Sequence, residues 1–146
     1  MVHDLARLYS PERLLGECDA RGLSVNEFER KHPVVLHARV GAEIARERFG
    51  VKDPSVLSAV AKHTLGDADM SGLDRVIYLA DALEPGRHYP GRAELWELAC
   101  SDLDEAMRRT LASSRRHYAR MGHEIAPQTA AAARAIGLVF EEVQTA

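Results

Sequence analysis

The chain has few aromatic residues, few cysteines and no long uninterrupted apolar run. Aromatic residues make up 5% and apolar residues 46% of the 146 positions, so aliphatic side chains must fill the core. Two cysteines far apart, Cys18 and Cys100, cannot form a disulfide framework, and we interpret them as reduced, buried thiols. No apolar stretch approaches the roughly 18 residues that a transmembrane helix needs. Because the start does not resemble a signal peptide either, we expect a cytoplasmic protein without a membrane segment.

Several signatures of nucleotide chemistry and of nucleic-acid binding are also missing. The sequence has no glycine-rich phosphate loop of the G-x-x-x-x-G-K type and no serine or cysteine nucleophile elbow. The formal net charge is -3 with seven histidines counted as neutral, which disfavours the basic surface of a nucleic-acid-binding protein. We therefore expect no nucleic-acid partner, although local arginines could bind a small phosphorylated ligand.

The sequence is rich in helix-forming residues and in helix start and stop signals. Residues 1–146 contain no linker or repeat and have the length of one domain. The pattern predicts an all-α fold with about six helices. The predicted helices run from Pro11 towards Gly22, from Pro33 to Phe49, from Pro54 to about His63, from Ser71 to before Pro85, from Ser101 to Gly122, and from Pro127 towards Phe140. Ser71 with Asp74, and Ser101 with Asp104, resemble capping boxes for two of them.

Polar side chains interrupt the apolar faces of these helices at a few positions. His37 follows Leu36 on the core side of its helix, and His63 has the same helical register as Val56 and Val60. Asp81 lies four residues after Ile77 on another apolar face, and the doublet His3-Asp4 precedes an apolar segment. A buried carboxylate or imidazole needs a partner, because burial of an unpaired charge costs several kcal/mol.

A divalent metal would provide a common partner, since imidazole and carboxylate groups bind metals such as iron or manganese. Each residue also has a simpler explanation. A single inward histidine is more often a hydrogen-bonded core residue, and Asp81 could pair with Arg87. Taken together and in chain order, the doublet His3-Asp4, His37, His63 and Asp81 favour a metal site.

The order of these residues resembles the YqeK family of HD-domain phosphohydrolases. The similar segments are H-D-L-A-R at 3–7, L-H-A-R-V-G-A at 36–42, K-H-T-L-G at 62–66, I-Y-L-A-D-A-L-E-P-G-R at 77–87 and P-Q-T-A-A-A-A-R at 127–134. The H-D doublet alone is weak, whereas the doublet with H-T-x-G and A-D-x-x-E-P-x-R in this order is a specific combination. The resemblance covers nearly the whole chain.

The resemblance implies an all-helical HD domain that hydrolyses diadenosine tetraphosphate symmetrically into two ADP, with related dinucleoside polyphosphates as further substrates. It implies a dinuclear divalent metal centre, usually of iron. Histidine and aspartate ligands also suit manganese or cobalt. The positions that inherit metal-ligand roles from the family are His3, Asp4, His37, His63 and Asp81.

The resemblance also implies roles in catalysis and in substrate binding. Asp4 would bridge two metals and orient the attacking water. Arg7 stands where the family more often has lysine, and Arg87 matches the family arginine after E-P, so both would bind phosphate. Further substrate contacts are expected from Lys62, Thr64 and Gly66.

The start of the chain departs from the family pattern. The family has a further histidine ligand on a helix upstream of the doublet, whereas here the doublet stands at His3 and Asp4. We therefore expect a helical bundle that is shortened at its N-terminus, and His88 is the first residue to consider as a replacement ligand. Apolar surface left uncovered by the missing helix could favour a homodimer.

Three alternatives remain open from the sequence. The chain could be an HD phosphohydrolase that acts on mononucleotides or deoxynucleotides, a degenerate non-catalytic domain that binds nucleotide or a protein partner, or a purely structural helical protein. The E-P-x-R segment favours the dinucleotide substrate over the first alternative. The retained H-T-x-G and A-D-x-x-E-P-x-R segments disfavour the second alternative. The third requires His37, His63 and Asp81 to lie on core faces by chance.

Overall fold

The computed structural model describes residues 2–138, and over this range the chain is helical with no strand. It contains short 3-10 helices at Val2–Asp4 and Pro33–Leu36. The α-helices are α1 (Pro11–Ala20), α2 (Glu27–Lys31), α3 (His37–Phe49), α4 (Pro54–Lys62), α5 (Gly72–Ala82), α6 (Arg92–Ala99), α7 (Leu103–Met121) and α8 (Pro127–Ala135). The all-α prediction is confirmed, and the eight α-helices of this range exceed the predicted six.

Side chains cap the starts of three of the predicted helices. The backbone N–H of Arg13 donates to Ser10 Oγ at 3.3 Å, directly before the Pro11 that opens α1. Asp53 caps α4, because its Oδ1 accepts from the backbone N–H of Ser55 at 2.9 Å. Ser71 and Asp74 form a capping box at α5, in which each side chain accepts from the backbone N–H of the other, at 3.2 and 2.7 Å.

The predicted capping role of Ser101 is wrong. The side chain of Asp102 accepts from the backbone N–H of Glu105 at 3.0 Å and caps α7. The Ser101 hydroxyl instead donates to the carbonyl of Leu98 at 3.1 Å. A serine between two helices can bond to the free carbonyl groups at the end of the first or to the free N–H groups at the start of the second. Here Ser101 bonds to a carbonyl group at the end of α6, because Asp102 caps α7.

Two other helix predictions need correction. The helix predicted from Pro33 begins as a 3-10 helix, and α3 starts only at His37. The last helix ends at Ala135, shortly before Gly137 takes a left-handed φ of 77°. The predicted end at Phe140 lies outside the described residues. The short helices α2 and α6 were not predicted, because they span five and eight residues and show little periodicity.

The core consists of two apolar clusters. One joins the N-terminal segment, α1 and α3, and its buried members are Ala6, Leu14, Cys18, Leu36, Val40 and Ile44. The other joins α5 to α8, and its buried members are Met70, Tyr78, Leu79, Leu83, Leu95, Ala106, Met107, Leu111, Ala132 and Ala133. Helix α4 packs between α3 and α5. The ends of α3 and α4 are therefore held between two packed clusters.

The cysteine prediction is half correct. Cys18 is buried in the first cluster, where burial raises the pKa of its thiol. Cys100 follows the last residue of α6 and is exposed, so the expected burial is wrong for this residue. In the part of the chain that the structure covers, no helix combines the length and apolarity needed to cross a membrane.

Gly66 provides a test of the packing between α4 and α8. Its φ is 70°, and an added Cβ would lie 3.2 Å from Met70 Sδ and 3.3 Å from Ala132 Cβ. We expect Gly66→Ala to lower the free energy of unfolding by about 1–3 kcal/mol, through left-handed strain and crowding. Gly16→Ala is the control: Gly16 lies inside α1 with nothing within 4 Å of an added Cβ, and this change should stabilise by roughly 0.5–1 kcal/mol.

Urea denaturation of the two variants and the native sequence measures both effects. Equal stability of Gly66→Ala and the native protein would contradict the described packing of this turn.

Candidate metal centre

Two buried histidines face each other where α3 and α4 pack together. His37 is the first residue of α3 and His63 directly follows α4, and their exposed fractions are 4% and 2%. The Nε2 atoms of the two rings lie 3.3 Å apart. The inward orientation predicted for both is confirmed. Of the apolar neighbours predicted for His63, Val60 is buried, whereas Val56 is exposed in the first turn of α4.

Backbone carbonyl groups fix the protonation of both rings. His37 Nδ1 lies 2.6 Å from the carbonyl oxygen of Val34, and His63 Nδ1 lies 2.7 Å from that of Val60. A carbonyl oxygen only accepts, so each Nδ1 carries the proton and donates. In the neutral rings, Nε2 then has an unshared lone pair.

Both rings are neutral near pH 7. Burial is the largest cause that lowers the pKa of His37 and of His63 from the ordinary value of 6.5. Their carbonyl contacts oppose this effect only in part. Two unprotonated Nε2 atoms therefore face each other at hydrogen-bonding distance with no proton between them.

The N-terminal 3-10 helix brings a carboxylate to the same point. Asp4 Oδ1 lies 3.4 Å from His37 Nε2 and 3.7 Å from His63 Nε2, and Asp4 Oδ2 lies 3.5 Å from His3 Nε2. Gly41 in α3 lies against this segment, and an added Cβ there would lie 3.4 Å from the His3 carbonyl oxygen, at the limit of ordinary van der Waals contact. No role was predicted for this glycine.

The converging donor atoms suit a divalent cation. Atoms bound at 2.0–2.2 Å to one metal lie about 3.0–3.6 Å apart, close to the separations found here. Ligand atoms of His3, Asp4 and His63 all lie within 4.8 Å of one another. The hydroxyl of Thr64 lies 3.3 and 3.2 Å from the two buried Nε2 atoms, but its single proton can satisfy only one acceptor at a time. A cation would satisfy the remaining lone pairs.

Asp81, the fifth predicted ligand, is paired with an arginine at the edge of this cluster. It lies in the last turn of α5, and its Oδ2 accepts from Arg87 Nη2 at 2.9 Å. Arg87 Nε also donates to the backbone carbonyl of Asp81 at 2.7 Å. The Asp81 carboxylate is near enough for its charge to act on His63, but it is not a member of the group of three ligand residues above. The structure thus contains the pair that the sequence offered as the simpler explanation of Asp81.

Arg7 is exposed beside the cluster. Its backbone N–H donates to the Asp4 carbonyl at 3.0 Å. After burial, the positive charge of Arg7 is among the causes that lower the pKa of His37. The structure therefore brings this predicted phosphate-binding residue close to the predicted metal ligands.

Two predicted substrate contacts, Lys62 and Gly66, also have structural partners. Lys62 Nζ lies 2.8 Å from Asp69 Oδ1 and 3.6 Å from Oδ2 of the buried Asp74. Gly66 forms a left-handed turn against α8. His88, the predicted replacement ligand, is exposed and does not join the group of three ligand residues found among residues 2–138.

A pocket of about 460 Å³ lies beside Thr64 and is bordered by Lys62 and Gly66 as well. Its other walls include Asn26, Val35, Arg39, Leu65 and Gln128. The buried carboxylate of Glu29 holds one wall together, because it accepts from Arg39 Nη1 at 3.1 Å and from Gln128 Nε2 at 3.0 Å. Glu29 also accepts from the backbone N–H of Asn26 at 2.9 Å, and this network was not predicted.

Known proteins resemble the chain in both sequence and fold. The HD domain family model matches residues 1–86. The symmetrical bis(5'-nucleosyl)-tetraphosphatase of Bacillus subtilis is 32% identical over 129 residues, which cover 88% of this chain and 69% of that protein. The protein of the same name from Halalkalibacterium halodurans is 37% identical over 147 residues, with coverage of 88% and 79%. The crystal structure of a predicted HD superfamily hydrolase involved in NAD metabolism from Clostridium acetobutylicum superposes with a TM-score of 0.88 at 30% identity, and the match covers 92% of this chain and 71% of that one.

The buried histidines predict a pH dependence of stability in the metal-free protein. Their pKa is lower in the folded chain than the ordinary 6.5, so the unfolded chain binds more protons below that value. We expect the free energy of unfolding to be highest above about pH 6.5 and to fall as the pH drops through the folded-state pKa. Urea denaturation in the presence of a chelator, between about pH 8 and pH 5, measures this.

His63→Asn should reduce the slope of this pH dependence, whereas the exposed His88→Asn should keep the native slope. Equal slopes for all three proteins would contradict the assignment of neutral buried imidazoles.

Proposed function

This chain belongs to the HD-domain family and groups with its symmetrical bis(5'-nucleosyl)-tetraphosphatases, and from this premise we propose that it hydrolyses diadenosine tetraphosphate into two ADP. The observation that carries the proposal is the convergence of two unprotonated imidazole nitrogens, of His37 and His63, on the Asp4 carboxylate. Such a donor set binds a divalent metal. When bound, the metal supplies Lewis acidity, which lowers the pKa of water and offsets the charge of phosphate oxygens.

The chain's own residues would orient the reacting groups. We assign metal binding to His3, Asp4, His37, His63 and Asp81. The two oxygens of Asp4 face different histidines, at 3.5 Å from His3 Nε2 and 3.4 Å from His37 Nε2. The Asp4 carboxylate would therefore be able to hold two neighbouring metal ions and to orient a water molecule.

Two arginines border this cluster from different elements. Arg7 follows the 3-10 helix, and Arg87 follows α5. Their guanidinium groups can each donate two parallel hydrogen bonds to phosphate oxygens, which stabilises the negative charge that develops during phosphoryl transfer. We assign both to binding of the polyphosphate chain.

The pocket beside Thr64 suits a nucleoside. Its volume of about 460 Å³ falls in the range of small-molecule sites, and it combines apolar walls such as Val35 and Leu65 with polar groups. Thr64 borders both this pocket and the two imidazoles, so a nucleoside held there would have its phosphates near the metal ligands. We assign Lys62, Thr64 and Gly66 to this wall of the substrate site.

Three finer points belong to the proposal. We infer a dinuclear iron centre, with manganese or cobalt as substitutes, because histidine and carboxylate ligands accept all three metals. We place the activity in the cytoplasm, where the unpaired thiols of Cys18 and Cys100 would stay reduced. We also propose a homodimer, which light scattering after size-exclusion chromatography can test.

The first test is hydrolysis of diadenosine tetraphosphate by protein loaded anaerobically with iron, with the nucleotides separated by chromatography. We expect ADP as the sole product. Formation of ATP with AMP would contradict symmetrical cleavage. Metal binding without any turnover of this substrate or of mononucleotides would favour the non-catalytic alternative.

The second test concerns the metal ligands. His63→Ala and Asp81→Ala should each lower bound metal and the hydrolysis rate by at least about tenfold, since each removes a ligand. Metal analysis and steady-state rates measure the two effects. His88→Ala, which changes an exposed histidine outside the cluster, should retain both properties. Native metal content and rate in the His63 and Asp81 variants would show that the assigned ligands are wrong.

A further inference from the structure

Asp81 and Arg87 hold each other through two contacts at the edge of the site. Arg87 Nη2 donates to Asp81 Oδ2 at 2.9 Å, and Arg87 Nε donates to the Asp81 backbone carbonyl at 2.7 Å. The exposed side-chain fractions are 23% for Asp81 and 49% for Arg87. The pair is therefore open to solvent on the arginine side, and an anion can reach the guanidinium group.

The pairing conflicts with the separate roles that the proposed function gives these two residues. Asp81 is proposed to bind the metal, and Arg87 is proposed to bind phosphate. While the guanidinium group is bound to Asp81 Oδ2, it neutralises the charge that would attract a divalent cation. The carboxylate in turn occupies donors of Arg87 that a phosphate would use.

We propose that Arg87 couples metal binding to polyphosphate binding by competing with the metal for Asp81. In the substrate-free protein, Arg87 weakens the hold of the site on a divalent cation. A phosphate group draws the guanidinium group away, because Arg–phosphate pairs form two parallel charge-assisted hydrogen bonds. Asp81 then carries its full negative charge towards the metal.

The direction in which metal affinity changes when Arg87 is replaced distinguishes competition for Asp81 from a role in holding Asp81 in place. If Arg87 only held Asp81 in the orientation required for metal binding, removal of the guanidinium group would weaken metal binding. Competition predicts the opposite, since removal of a cation next to a carboxylate strengthens its attraction for another cation. Thermodynamic linkage adds a second requirement: if phosphate strengthens metal binding, metal strengthens phosphate binding by the same factor.

The experiment is calorimetric titration of metal-free protein with Mn²⁺, without and with inorganic phosphate. We compare the native sequence with Arg87→Gln, which removes the charge but keeps a hydrogen-bond donor. Without phosphate, Arg87→Gln should bind Mn²⁺ more tightly, by up to about fivefold for a pair this exposed. Phosphate should strengthen Mn²⁺ binding to the native protein and leave the Arg87→Gln value unchanged.

Two variants control for charge and for loop structure. Arg87→Lys retains the positive charge and should bind Mn²⁺ about as the native protein does. Arg92→Gln changes a nearby arginine that donates to the Leu83 carbonyl at 2.8 Å, so it perturbs the same loop. It should keep the native Mn²⁺ affinity and the native response to phosphate, in the same buffers.

The coupling rests on the proposed function, and Asp81→Asn separates the two failures. Weaker Mn²⁺ binding in Asp81→Asn, together with weaker or unchanged binding in Arg87→Gln, would overturn the coupling. The same result would still support Asp81 as a ligand of the proposed metal site. Native Mn²⁺ affinity in Asp81→Asn would remove Asp81 from the metal site, so the proposed ligand set and the coupling would both fail. In the coupled case, adding Arg87→Gln to Asp81→Asn should have no further effect on Mn²⁺ affinity.

Discussion

The site depends on two hydrogen bonds from imidazole to backbone carbonyl, His37 to Val34 and His63 to Val60. In each, the acceptor lies three residues before the histidine, so local helical geometry is sufficient to set it. Each bond places the proton on Nδ1 and leaves Nε2 as an acceptor. Because burial keeps both rings neutral, the space between α3 and α4 has an excess of acceptors over donors. The remainder of the site can be understood as a response to that excess.

The rest of the fold keeps these acceptors in place. The two apolar clusters lie on either side, and α4 packs against both α3 and α5. Two buried imidazoles whose Nε2 atoms share a single hydroxyl donor are destabilising on their own, since unsatisfied buried polar groups cost about 1–3 kcal/mol each. A fold that keeps this arrangement is stabilised by a ligand that binds the folded state, as a divalent cation would. Asp4 supplies the negative charge that such a cation requires.

Patterns with one physical explanation were predictable from the sequence, and patterns with two were not. The inward orientation of His37 and His63 followed from their register with neighbouring apolar residues. The partner of Asp81 could not be predicted, because metal binding and pairing with Arg87 both satisfy a carboxylate at that position. The prediction of the residue that caps α7 was wrong for the same reason, since Ser101 and Asp102 are both good capping residues. The Glu29 network joins segments about a hundred residues apart, so no local pattern reports it.

Three basic residues around the pocket and the proposed metal ligands, Arg39, Lys62 and Arg87, are each held by a carboxylate, but the consequences differ. Arg39 pairs with Glu29, and that carboxylate is buried in a network that fixes a pocket wall. Lys62 pairs with Asp69 and with Asp74, which belongs to the capping box of α5. Withdrawing either cation would remove the opposite charge beside a buried carboxylate, Glu29 or Asp74, so neither pair exchanges readily for phosphate. Arg87 differs, because its carboxylate gains another partner in the proposed metal. When phosphate binds Arg87 and the metal binds Asp81, both charges of the pair again have a partner. The Arg87–Asp81 pair is therefore the suitable point for coupling metal binding to phosphate binding.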